Sequence, residues 1–163
     1  MHFIYLIMNK RGQMHLSFGM IFSIILIVVF LVLAFFVIKR FLELQQDVIY
    51  RNFIENFQSD VESVYKSTSA SSQVNYSMPN KVDRVCFVKN CKSDFRCNDI
   101  EDNLVFEGEK QFESAFINYI DLDKTIGDSI NKEFCVNVIN KKLRLGITKD
   151  YQEALVTINP ISS

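Results

Sequence analysis

The residues that most often carry chemistry are scarce where they would be needed. Histidine occurs only at His2 and His15. Everything after them must work without imidazole, which removes the Ser-His-Asp triad, the Cys-His pair and histidine metal sites. Carboxylates are plentiful. Asp99, Glu101 and Asp102 cluster, Glu107 and Glu109 lie two apart, and so do Asp121 and Asp123. Paired acids at such spacing can serve glycoside hydrolysis or bind calcium. The glycine and terminal glutamate of a calcium loop are missing, and acids so placed are ordinarily a solvated surface. A pocket joining Asp99, Glu101, Asp121 and Asp123 would mark an enzyme. The residues themselves give no reason to expect one, nor a cofactor or metal ligand set. Gly108, Gly127 and Gly146 are too far apart to form a phosphate-binding loop.

Cysteine is the other reactive type. Cys86, Cys91, Cys97 and Cys135 make an even set in a small domain, which fits two disulfides formed outside the cytosol. Four buried thiols are the alternative. A zinc ribbon fits less well, because C-x4-C-x5-C is not the paired C-x2-C spacing. Of the three possible pairings, the sequence favours Cys91 with Cys97, closing a short loop, and Cys86 with Cys135, tying two strands.

These residues follow an apolar segment that sets the location. The chain of 163 residues has a formal net charge of −1, but the charge is divided. No Asp, Glu, Lys or Arg occurs between Gly12 and Ile38. Lys10, Arg11, Lys39 and Arg40 flank that gap, giving +4, and residues 41–163 carry −5. The acidic balance argues against a nucleic-acid partner. Residues 18–38, opening on Phe18 and closing on Ile38, would span about 30 Å as a helix, the thickness of a bilayer core. Their one polar side chain, Ser23, can bond back to its own helix. The segment is expected to be the only span. The flanking positive charges tie on the positive-inside rule. The cysteines break the tie and put the C-terminal domain outside the cell membrane.

The start of the chain has a recognisable order. Lys10-Arg11-Gly12-Gln13 stands directly before the apolar run, and Met8 offers a second possible start. This block resembles the class III, prepilin-type signal peptides of archaeal type IV pilin-like proteins. The resemblance covers about the first quarter of the chain. It implies that a prepilin peptidase cuts between Gly12 and Gln13. The apolar helix would then stay as membrane anchor and pack against copies of itself or related pilins through residues 18–38, in a filament for adhesion or secretion. Pilins carry Glu at the fifth mature position, whereas this chain has Ser17. The alternative is a signal-anchored surface binding or envelope protein that does not assemble.

The positioning elements follow from periodicity. Phe41, Leu44, Val48, Phe53, Phe57, Val61 and Val64 recur at helical spacing. The segments are then a leader at 1–12, a transmembrane helix at 13–40, and an amphipathic continuation at 41–66. A Ser-rich linker at 67–80 leads to a small extracellular β domain at 81–163. The fold class is α+β: a long N-terminal transmembrane and amphipathic helix, then a small antiparallel β domain ending in a meander. The helix at 41–66 is expected to cover that sheet rather than bundle with neighbours. Strands are predicted at 81–89, 103–107, 112–120, 134–139, 143–147 and 154–158, with a hairpin turn at 140–142. Lys141, Lys142 and Arg144 read as the tip of that hairpin. Asn75-Tyr76-Ser77 matches the N-glycosylation pattern.

Overall fold

A computed structural model describes residues 18–91, 95–110, 112–129 and 132–161. The expectations placed on Met8, Lys10, Arg11, Gly12, Gln13 and Ser17 lie outside those residues. The chain divides into two compact units, Met1–Leu42 and Glu43–Ser163.

Helix α1, Phe18–Tyr65, runs for 48 residues. After Gly19 it contains neither glycine nor proline, so nothing in the sequence interrupts its hydrogen-bond ladder. In the first unit its apolar side chains are all exposed, and the most apolar window has a mean hydropathy of 3.5 with no part buried. Such a face is unstable in water, and the length and composition suffice to cross a membrane.

In the second unit α1 behaves differently. Phe53, Phe57, Val61 and Val64 are buried, at spacings of four, four and three, on one face. Phe53 stacks on Phe57 at 5.7 Å between ring centroids and meets Tyr76 and Phe106 edge-on at 5.2 and 5.8 Å. That face is therefore used within the chain's own core. The helix ends where Ser67 N–H turns back to Val64 C=O at 3.1 Å, and Ser67 Oγ bonds Ser63 C=O.

The core closes between α1 and two antiparallel sheets. Strands β1 (Ala70–Ser77), β5 (Lys142–Lys149) and β6 (Thr157–Pro160) form the first, in the order β1-β5-β6. Strands β2 (Arg84–Val88), β3 (Leu104–Glu107) and β4 (Glu133–Asn137) form the second, in the order β3-β2-β4. A five-residue helix, α2 (Leu122–Ile126), lies between β3 and β4 in the chain. Leu143, Leu145, Ile147, Ile158, Val85, Phe87 and Leu104 meet the α1 face in one buried cluster.

Three segments differ from the sequence expectation. The Ser-rich stretch at 67–80 is not simply a linker, because β1 occupies most of it and pairs along its length with β5. Its alternation is real but muted. Ala70, Ser72, Val74 and Tyr76 face inward and Ser71, Gln73, Asn75 and Ser77 outward. A serine and an alanine at two of the four inward positions hid the period of two.

The C-terminal meander is also revised. Asn140 and Lys141 adopt positive φ (51° and 60°), and Ile139 and Lys142 exchange two backbone hydrogen bonds. That is a two-residue hairpin turn. The ladder stops there, because β4 pairs with β2 and β5 with β1 and β6. Of the strands β4, β5 and β6, the consecutive pair that shares a ladder is β5 with β6.

Residues 112–120 form no strand among those described. They follow an extended path touching the sheets through isolated bridges, Leu104 to Ala115 and Ile120 to Val156. Buried Asn103 holds this path. Its Nδ2 donates to Ile117 C=O at 2.8 Å and its Oδ1 accepts from Ile117 N–H at 2.9 Å. The side chain supplies pairings that a neighbouring strand would otherwise make. Gly108 ends β3 against the backbone of Lys81, where an added Cβ would lie 1.9 Å from the Lys81 carbonyl oxygen.

Candidate functional site

The side chains with most chemistry gather on the outer face of the β3-β2-β4 sheet. Strand β2 alternates: Val85 and Phe87 join the α1 core, whereas Cys86 and Val88 belong to a second buried cluster with Cys91 and Val105. Cys86 and Cys135 are direct cross-strand partners and form a disulfide. Cys91 and Cys97 form the other. Their loop brings Arg96 between two strands. Its guanidinium bonds Glu107 on β3 and, at 2.6 Å, Glu133 on β4. Arg84 of β2 joins the same Glu107 at 2.5 Å. Arg96, Glu107 and Glu133 are each about one-fifth exposed, so this network is partly withdrawn from water. It ties Arg96 to both edge strands of the sheet, β3 and β4.

The sulfurs of Cys86 and Cys135 lie close to the Glu133 carboxylate. Both are joined in a disulfide, so neither offers the thiolate that a metal needs.

The carboxylates singled out in the sequence are distributed. Asp121 caps α2, accepting from Lys124 N–H at 3.0 Å. Asp123 pairs with Lys89. Asp99 accepts from Glu101 N–H within a turn that Asp102 closes. The cleft that Asp123 lines contains none of Asp99, Glu101 or Asp121. Glu109 is exposed, whereas Glu107 is partly buried in the arginine network. Asn75 is exposed on the edge strand β1, directly across from Arg144, with Ser77 accepting from Lys142 Nζ at 2.8 Å.

Two tyrosines stand out electrostatically. Burial is the main cause that pushes the Tyr76 hydroxyl well above its ordinary range. Its hydrogen bond to Asp60 and the charge of that carboxylate add to the shift. Burial, then the charges of Glu113 and Asp102, push Tyr50 up to about 12. Both stay neutral in ordinary water and act as donors, Tyr50 to Glu113 C=O at 2.6 Å.

Sequence reasoning missed Asn103, Arg96 and the Tyr76–Asp60 pair. Their spacing carries no periodic signal, since each acts on a partner distant in the chain. A cleft of about 350 Å³ was also missed, where β4 and β5 part beside Lys142 and Arg144. The alternation of those two cations along β5 was its one visible trace.

Compared with protein-family models, curated proteins and solved structures, the chain matches none. The fold therefore defines only a broad class: an α+β domain with two disulfides, following a long apolar N-terminal helix.

Proposed function

We propose that this chain is a membrane-anchored, pilin-like surface subunit. In this reading residues 18–38 hold it in the cell membrane as a single span, and the acidic domain from Glu43 onward lies outside. The observation that carries the reading is the continuity of α1. An apolar segment with no buried side chain runs without interruption into a helix that is built into its own domain. Two disulfides support an oxidising location. Lys10-Arg11-Gly12-Gln13 directly before the span supports processing by a prepilin peptidase, with Gln13 as the new terminus. Copies would then associate through residues 18–38, where packing of apolar helices within the membrane is the attraction. Filaments for adhesion or secretion are the assembly this implies.

The test is N-terminal sequencing of tagged full-length protein, expressed with and without an archaeal prepilin peptidase. The expected result is a mature chain beginning at Gln13 only when the peptidase is present. An intact leader in both cases would refute the pilin-like reading.

Ser17 favours a second reading, a signal-anchored binding or envelope protein that never polymerises. Serine cannot supply the buried carboxylate that would neutralise a neighbour's new amine. Electron microscopy of sheared surface filaments, with peptide identification, separates the two.

A further inference from the structure

We propose that the outer domain docks head to tail on a second copy of itself. Ile100 and Glu101 of one copy would enter the cleft between β4 and β5 of the next.

The cleft exists because two strands joined by a tight turn belong to different sheets. Beyond the single bridge between Ile139 and Lys142, β4 follows β2 and β5 follows β1 and β6. The wedge between them measures about 350 Å³. Its apolar lining is Val136, Ile139 and Ile161, and its cations are Lys142 and Arg144. Among the described residues no carboxylate lines it. Arg144 has no ion-pair partner among the described residues, and Lys142 donates to the neutral Ser77 hydroxyl. Ile139 is 60% exposed. Such a cleft fits an aliphatic side chain flanked by carboxylates, and an unbalanced cationic surface within a domain of charge −5 is complementary to that domain's own acids.

The turn at residues 99–102 has that chemistry. Asp102 N–H bonds Asp99 C=O at 3.4 Å, and Asp102 Oδ2 accepts from Asp99 N–H at 3.0 Å. Ser114 Oγ bonds the same carboxylate and accepts from Asn98 N–H at 2.6 Å. The turn is thereby ordered before any partner arrives, which lowers the entropy lost on docking. At its tip Ile100 is 67% exposed, between Asp99 and the exposed Glu101.

Topology makes the contact intermolecular. The turn leads into β3, at one edge of the sheet, and the cleft adjoins β4, at the other. A knob on one edge and a cleft on the opposite edge form a heterologous pair, which propagates from copy to copy. The contact is small, and it rests on the membrane-anchored reading for the confinement that raises the effective concentration of copies.

The experiment uses full-length protein in membranes, made from equal parts isotope-labelled and unlabelled chains. Carbodiimide converts an adjacent lysine and carboxylate into an amide with loss of water, and mass spectrometry identifies the joined peptides. We expect links between Lys142 and Glu101 that mix the two isotopes. Arg144→Glu should reduce them severalfold with both reacting groups in place, whereas Lys142→Glu with Arg144→Glu, and Glu101→Lys alone, each remove a reacting group and abolish them. Mixing these last two variants should restore a link between the reversed positions, which also shows that both remain folded. Links confined to one isotope, no links, or no restoration would overturn the proposal. Cleavage after Gly12 without mixed links would remove this contact and leave the pilin-like reading intact. Mixed links without cleavage would do the reverse.

Discussion

Tyr76 on β1 donates a hydrogen bond of 2.6 Å to Asp60 on α1. The two residues are 16 apart in the chain, and the bond ties the helix to the strand that the Ser-rich segment forms. Tyr76→Phe keeps the ring contacts with Phe53 and Phe57 and removes only the hydroxyl. A bond to a charged acceptor in a partly buried site contributes about 1.5–3 kcal/mol. Denaturant unfolding of the full-length protein in detergent should show a loss of that order.

The same pair predicts an alkaline transition. The folded state raises the ionisation of Tyr76 above the ordinary 10.0, and that of Tyr50 to about 12. A group raised in the folded state stabilises fully below its unfolded value and loses that contribution as pH rises toward its folded value. Stability should therefore fall from about pH 10 upward, the Tyr50 part being lost by about pH 12. Tyrosinate absorbance followed alongside unfolding should show these two residues ionising last. Tyr76→Phe should shallow the decline, and an unchanged slope would rule out its contribution.

Asn103 is the keystone of the path from 112 to 120. Asn103→Leu would leave both the N–H and the C=O of Ile117 without a partner in a buried setting. Each unpaired group costs about 1–3 kcal/mol. A fall in thermal midpoint is expected, with faster amide exchange confined first to 112–120. Asn103→Asp retains an acceptor but no donor, so it should recover only part of the loss.

The two disulfides should differ in weight. Cys86 and Cys135 are 49 residues apart, Cys91 and Cys97 only 6. Loop-closure entropy gives about 4 kcal/mol for the first and about 2 kcal/mol for the second. Paired Cys→Ala replacement of each, measured by denaturant unfolding, should rank them in that order. Loss of the shorter one should also loosen Arg96 and lower protection of β4.

Membrane attachment has a direct readout. The full chain should remain in the pellet after alkaline carbonate extraction, since α1 exposes a long apolar and uncharged surface over residues 18–38. Protease added to intact cells should remove the domain from Glu43 onward. Protection of that domain would place it on the cytosolic side and overturn the proposed orientation.

Much of this molecule was legible in one dimension. The apolar run from Phe18 needs no tertiary partner to be recognised, because its length and its lack of charge are properties of the chain. The face of Phe53, Phe57, Val61 and Val64 was equally visible as a helical period. Cysteine spacing led to the pairs Cys86–Cys135 and Cys91–Cys97, the same pairs that lie at disulfide distance in the fold.

What the sequence could not specify depends on partners brought from afar. Small polar side chains in β1 carry little hydrophobic contrast, so pairing with β5 decided that they form a strand. The turn at Asn140 and Lys141 was local and readable. Whether its two arms stay together was not, because β2 and β1 compete for them through contacts tens of residues away. The cleft beside Lys142 and Arg144 is the space left by that competition. Local periodicity fixes which face of an element is apolar, while the sharing of strand edges between sheets belongs to the tertiary structure alone.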